Sequence, residues 1–374
     1  MMKIKAAVVN KVGEQFEIED NIELHDVGPN DLQVHMVASG ICHSDDSIRM
    51  GRQPLSYPIV LGHEGSGIVE KVGSNVTAFK PGDHVVLSYW ADHECDKCLS
   101  GKPTQCRNFN EGNFSGVRPD GEPFFKRDGE VIADMFNQSS FTTTTVVDQR
   151  NAIKVDKDLD LRKLGPLGCG YVTGSGTVFN NLKPSPGDSL AVFGTGAVGL
   201  AAMMAARIMG CTKVIAVDIV PSRLELAKEL GATDIINSAE EDPVAKIKAL
   251  TNGYGVNYTV DTTGIIQVTR NAIDALQQGG TCAGIAVTPN DVEVSEWKDL
   301  SANDKAFVGV LMGDAVPQID IPRLIDFYKL GQFDFDKTEK FYDFDQINEA
   351  NADSLSGKTI KPVLIIDKDY QPGD

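Results

Sequence analysis

Within fifteen residues the chain carries Asp92, Cys95, Cys98 and Cys106, the first three at even steps of three. Three thiolates and a carboxylate so spaced can close a tetrahedral shell around one zinc ion, because an aspartate oxygen is an acceptable zinc ligand. His93 is a rival for the fourth position, and the three-residue rhythm favours Asp92. A shell of four protein ligands leaves no vacancy for a substrate, so this lobe is expected to pin a surface segment rather than to react.

A second group is scattered. Cys42-His43-Ser44-Asp45, Gly62-His63-Glu64 and Gly168-Cys169-Gly170 each hold a residue that, alone, reads as a small buried hydrophobe or a satisfied polar group. Together, two cysteines and one histidine leave a zinc with three protein ligands and an open fourth position, which metal-assisted catalysis requires. Their convergence is an expectation that only the fold can meet.

The third motif is Gly194-Thr195-Gly196-Ala197-Val198-Gly199, a GxGxxG turn that follows the apolar run LAVF and opens an alanine-rich helix. Glycines there let the backbone approach a pyrophosphate at the helix N-terminus. Asp218 closes the next apolar strand, nineteen residues after Gly199, where a carboxylate accepts from an adenosine ribose and repels a 2′-phosphate. NAD is therefore expected over NADP, with Arg223 close enough to touch the same ribose.

Residues up to about 165 show short apolar runs broken by turn signals: KAAVV, DLQVHMVAS, SGIVEKVG, GDHVVLS and FTTTTVV. That texture predicts an irregular antiparallel β domain. From Leu190 strands and helices alternate: LAVFG, a helix from Ala197 to Met209, KVIAVD, a helix capped by Ser222 and ending before Gly231, and DIIN. A helix around Ala245, NYTVD, a helix around Ile273 and TCAGIAV complete the series. Repeated βα units predict a doubly wound parallel sheet. A helix near Arg323 to Leu330 and the strand KPVLIID are expected to return to the first domain.

At 374 residues, two domains are the natural expectation. Acidic residues outnumber basic ones 53 to 35, for a net charge of −18. Such a surface repels nucleic-acid phosphates and anionic membranes. The longest uncharged stretch, Ser189 to Ala206, is interrupted by Gly194, Gly196 and Gly199, so it reads as strand, turn and helix rather than a membrane span. The N-terminal MMKIKAAVVNKVGE shows no signal-peptide core, and seven clustered cysteines point to metal ligation in a reducing, cytoplasmic setting rather than to disulfides.

Gly62-His63-Glu64-Gly65-Ser66-Gly67 with Gly73 and Val76, Cys42-His43-Ser44-Asp45, Gly168-Cys169-Gly170 running on to Thr173, the cysteine lobe, the glycine turn with Asp218, and Gly357-Lys358 follow one another along the chain. In that order they resemble the zinc-containing alcohol dehydrogenases of the medium-chain dehydrogenase/reductase family, over essentially the whole length. The resemblance implies an α/β protein: a GroES-like irregular β catalytic domain (1–165 and 310–374, with the zinc lobe near 92–106) interrupted by a Rossmann domain (166–309). It implies two Zn²⁺ per chain and NAD.

By position, Cys42, His63 and Cys169 resemble the catalytic zinc ligands, Ser44 the hydroxyl that takes the alcohol proton, and Asp45 the carboxylate that orients His63. Glu64 resembles a carboxylate able to swing toward the metal. His43 and Lys361 resemble contacts to the coenzyme pyrophosphate, Thr173 a contact to nicotinamide, and Val198 and Ile285 further coenzyme contacts. Many relatives carry histidine where this chain has Ser47, so His43 or a water chain is the expected proton exit.

The implied reaction interconverts primary alcohols and aldehydes by hydride transfer. The run from Phe136 to Thr143 is similar to the aryl (benzyl) alcohol dehydrogenase branch, and Phe109, Phe114, Phe124, Phe125, Phe136 and Phe141 can line an apolar pocket or simply fill the core. Aromatic or allylic substrates are expected. Short-chain alcohol dehydrogenase, glutathione-dependent formaldehyde dehydrogenase and a noncatalytic zinc-stabilised binding protein are the alternatives. A homodimer or homotetramer is usual in the family.

Overall fold

In the computed structural model, residues 2–288 and 290–373 are described. The chain forms two compact units, one of Met1–Cys169, Val316–Pro322 and Asp336–Asp374, the other of Gly170–Ala315 and Arg323–Phe335. These limits differ from the expected ones at 165 and 310. In particular, Arg323–Phe335 groups with the second unit and not with the first. Aromatic packing explains this: Phe327 meets Phe179 at 5.9 Å and Phe335 meets Tyr171 at 5.1 Å between ring centroids.

In the first unit one strand organises the rest. Asp31–Gly40 is buried along almost its whole length, although Asp31, Gln33, His35 and Ser39 interrupt its apolar residues. It pairs antiparallel with Gly65–Val72, Thr144–Asp148 and Lys361–Ile365. The register sets Ser39 opposite Gly65 and Gly40 opposite Val363. Segments far apart in sequence therefore end at one corner of the sheet: Cys42 just after the central strand, His63 and Glu64 just before its neighbour, and Lys361 at the start of another. Leu32, Val34, Met36, Val69, Val85 and Leu87 form the core beneath. A second sheet in the same unit, built on Met2–Val9 and Glu17–Leu24, buries Phe124 and Phe125 with Ile4, Val8 and Ile22.

The second unit contains the expected doubly wound sheet. Six parallel strands lie in the order Asp234–Asn237, Lys213–Asp218, Ser189–Phe193, Val256–Asp261, Leu276–Gly284, Ala306–Gly309. Read by chain position this is 3-2-1-4-5-6, the dinucleotide-binding order whose switch point lies beside the first strand. The edge strand Ala306–Gly309 has no counterpart among the sequence expectations. Ser222 does not cap the helix after Asp218. That helix runs Pro221–Glu229 with Val220 at its N-cap, since proline's fixed φ suits the first helical position. Among the described residues no helix is long and apolar enough to cross a membrane.

Candidate active site

Cys42, His63, Glu64 and Cys169 offer ligand atoms that all lie within 4.8 Å of one another. Cys42 is the N-cap of the helix His43–Arg49, and its N–H donates to Asp45 Oδ2 at 2.9 Å. The other Asp45 oxygen accepts from the Gly62 N–H and from His63 Nδ1, each at 3.0 Å. A single fully buried carboxylate thus ties the cysteine loop to the histidine loop and fixes the imidazole's orientation. Gln138 adds a second tie, its amide donating to the carbonyls of His63 and Ser88 at 3.1 Å.

Cys169 arrives from elsewhere. Ser88 Oγ donates to the Gly168 carbonyl at 2.6 Å. A Cβ on Gly168 would lie 1.9 Å from the Leu87 carbonyl, so only glycine allows this approach.

His63 Nε2 is buried and has no hydrogen-bond partner, although its ring neighbours are two thiols. An orphaned imidazole nitrogen among sulfur donors, with Nδ1 held by a carboxylate, fits a metal that accepts mixed N/S ligation, and zinc suits that set. The electrostatics agree. Hydrogen bonding from the Cys169 thiol is the main influence that lowers Cys42 well below the ordinary thiol range, against the opposing effect of burial. Cys169 is correspondingly raised, by that same bond and by burial. Burial disfavours charge on His63, but Asp45 and Cys42 together outweigh it and raise the imidazole well above its usual value; a metal ligated at Nε2 must displace that proton.

Ser44 Oγ lies 3.7 Å from Cys42 Sγ at the edge of the group. His43 is exposed, and Ser47 is buried. The Phe136 ring packs on His63 at 4.9 Å and takes the edge of Phe114 at 5.2 Å. The other four phenylalanines are buried: Phe124 and Phe125 in the sheet core, Phe141 against Phe16, and Phe109 against Tyr89.

Lys361 departs from its expected role. It is buried, with Nζ donating to both oxygens of Glu64 at 2.8 and 2.7 Å and to the Ile41 carbonyl at 3.3 Å. Its three donors are engaged inside the first unit, leaving none for a coenzyme phosphate. The same contacts hold the Glu64 carboxylate, which burial raises and Lys361 opposes.

The second group is Asp92, Cys95, Cys98 and Cys106, again with ligand atoms within 4.8 Å. Asp92 Oδ1 accepts from the N–H groups of Glu94 and Cys95, and Oδ2 from Asn108 Nδ2. Burial opposes its charge, but the Cys95 and Glu94 N–H groups, with the Cys106 and Cys98 thiols, outweigh it and hold the carboxyl far below its usual range. His93 is exposed and stands outside the group. Arg150, paired with Asp148, donates to the Asp92 carbonyl at 2.8 Å and lies over Trp90, which anchors the lobe to the sheet.

In the second unit the glycines divide the work. Gly194 has φ +91°, a Cβ on Gly196 would meet nothing within 4 Å, and one on Gly199 would strike the Gly194 carbonyl at 2.0 Å. They give, in turn, the tight turn, a cradle open to a phosphate, and close helix–strand packing. The helix Ala197–Ile208 has no side-chain cap, so its first N–H groups can face an anion. Asp218 ends the neighbouring strand, nearly buried. Exposed Ile219 beside it is an apolar face that sequence reasoning passed over. Val198, Arg223, Thr173 and Ile285 are all half-buried in this unit.

Two family models match: "Alcohol dehydrogenase GroES-like domain" over residues 28–157 and "Zinc-binding dehydrogenase" over 197–329. The chain is 41% identical to a geraniol dehydrogenase of Castellaniella defragrans, over 96% of this chain and 97% of that one. The chain belongs to the zinc-containing alcohol dehydrogenases of the medium-chain dehydrogenase/reductase family. This dehydrogenase also superposes on the crystal structure of benzyl alcohol dehydrogenase from Acinetobacter calcoaceticus with a TM-score of 0.94, at 42% identity, covering 98% and 100% of the two chains. An S-(hydroxymethyl)glutathione dehydrogenase of Escherichia coli is 34% identical over 97% of this chain and 100% of its own. The dehydrogenase is thus an oxidoreductase with the GroES-like and Rossmann architecture expected from its motifs.

Proposed function

We propose that this enzyme interconverts primary alcohols, aromatic or allylic ones preferred, with their aldehydes, using NAD and two zinc ions per chain. The observation that carries the reading is the buried, unpartnered His63 Nε2 between Cys42 and Cys169. Those three residues would hold the catalytic metal, and Asp92, Cys95, Cys98 and Cys106 the structural one. Bound zinc supplies Lewis-acid polarisation of the substrate oxygen, and bound NAD supplies the hydride acceptor.

The protein's own groups do the rest. Asp45 keeps His63 in the tautomer whose Nε2 faces the ligand set. Ser44 accepts the hydroxyl proton of the alcohol, and exposed His43 passes it to solvent; Ser47, buried and a poor base, takes no part. Phe136 and Phe114 form an apolar wall beside His63 that excludes water and suits a flat or unsaturated substrate. Asp218 and Ile219 would take the adenosine end of the coenzyme, with Val198, Thr173, Ile285 and Arg223 further along it. The similarity to a geraniol dehydrogenase and a benzyl alcohol dehydrogenase supports the substrate class. Seven free thiols agree with a reducing compartment.

The test is NAD reduction across benzyl, geranyl and short aliphatic alcohols and S-(hydroxymethyl)glutathione, with zinc measured on the same preparation. Highest kcat/KM for benzyl or geranyl alcohol is expected. A clear preference for the glutathione adduct would replace this reading with the formaldehyde-detoxifying one.

A further inference from the structure

Asp218 has no vacant acceptor position. Its Oδ1 accepts from the N–H groups of Ile219 at 2.7 Å and Val220 at 3.0 Å. Its Oδ2 accepts from the Thr195 N–H at 2.7 Å and from Thr195 Oγ1 at 2.8 Å. A carboxylate offers about four lone-pair positions, and here all four are filled from within the chain. A ribose hydroxyl that donates to Asp218 must therefore displace something. Three of the donors are backbone N–H groups, fixed by the glycine turn and by the start of the next helix. The fourth is a hydroxyl on a rotatable Cα–Cβ bond, and it is the only one that can leave without unravelling backbone.

We propose that the Thr195 hydroxyl occupies the acceptor position on Asp218 that the adenosine ribose takes, and yields it when the coenzyme binds. Thr195 is then a specificity-determining residue that belongs to the glycine turn and acts on the ribose carboxylate. The inference rests on the NAD reading of this unit. In the free protein the hydroxyl fills the last acceptor position of a nearly buried carboxylate whose other three positions are taken by backbone N–H groups. With NAD, one neutral donor replaces another, and the exchange costs little. With NADP, the 2′-phosphate brings no such donor and adds negative charge beside Asp218, so Thr195 keeps its bond and the ligand gains nothing. Discrimination then comes from the exchange as well as from charge repulsion.

The experiment compares coenzyme binding by the full-length enzyme, read by calorimetry, for NAD and for its analogue lacking the adenosine 2′-hydroxyl. The proteins are wild type, Thr195→Val and Thr195→Ser. Valine keeps the shape of threonine and removes the competing donor. NAD should bind Thr195→Val about three- to tenfold more tightly than wild type, the gain expected from freeing one charge-assisted hydrogen-bond position. The 2′-deoxy analogue should show no gain, and Thr195→Ser should resemble wild type. Equal effects of Thr195→Val on NAD and on the analogue, or weaker NAD binding, would overturn the proposal and leave Thr195 a purely structural residue. A wild type that binds NADP more tightly than NAD would instead remove the coenzyme reading itself. Melting curves of the three proteins identify any variant that fails to fold.

Discussion

Asp134 is fully enclosed, and its carboxyl is the most uneasy group near the candidate site. Oδ2 accepts one hydrogen bond, from the Asn137 N–H at 3.1 Å, and Oδ1 accepts none. Burial raises its pKa from 3.8 to about 7, against the opposing Asn137 N–H and the charge of Arg118. Between those two values the folded protein holds a proton that the unfolded chain has released. The stability this proton contributes is complete below pH 3.8 and is lost as the pH rises through about 7. Its full size is about 4 kcal/mol, from a shift of roughly three units at about 1.4 kcal/mol each. Asp134→Asn is close in shape and never ionises. Above neutral pH the variant should be more stable than wild type by about 2 kcal/mol, once a cost of roughly 1–3 kcal/mol for an amide N–H₂ without a partner is subtracted. At acid pH the order should reverse. Urea unfolding of both proteins from about pH 5 to 8.5, plotted as a difference, isolates this one group from all others that titrate. A flat difference curve would refute the reasoning. The effect bears on function because the same loop carries Phe136 against His63 and Gln138 against the His63 carbonyl.

Lys361→Met should destabilise the protein by about 3–5 kcal/mol, because it strands the buried Glu64 carboxylate; thermal melts should show most of the loss recovered in Lys361→Met/Glu64→Gln, and no recovery would mean the pair is not the cause. Asp92→Ala should lower zinc from two toward one per chain and reduce the melting temperature while leaving kcat per remaining zinc nearly unchanged. Two zinc ions per chain in that variant, by metal analysis, would argue against Asp92 as a ligand. His43→Ala should slow turnover about tenfold or more near neutral pH and shift the pH–rate profile; an unchanged profile would exclude His43 from the proton exit.

What could be read from the chain depended on how locally each feature is determined. The lobe lies within one short segment, so spacing alone brings Asp92 and three cysteines together. The glycine turn is equally local, since each glycine answers a backbone requirement within its own strand, turn and helix. Cys42, His63 and Cys169 are spread over more than a hundred residues: the pairing of Asp31–Gly40 with Gly65–Val72 brings Cys42 beside His63, and the close approach of Gly168 to Leu87 and Ser88 adds Cys169. Family resemblance supplied that trio before the fold did. It could not supply partners peculiar to this chain. Lys361 sits where relatives reach for the coenzyme, yet Glu64, 297 residues away in sequence, takes its charge. Asp134 carries no motif, and its perturbation arises wholly from burial. Four of the six phenylalanines are core through tertiary packing that composition cannot reveal: the adjacent Phe124 and Phe125 are both fully buried, so not even strand alternation predicts their fate. Thr195 joins both kinds of case. Its place in a GxGxxG pattern is visible at once, and its bond to Asp218 follows from two loops meeting at the switch point of the sheet. A residue type that the motif leaves free thereby comes to bear on the one carboxylate that the motif needs.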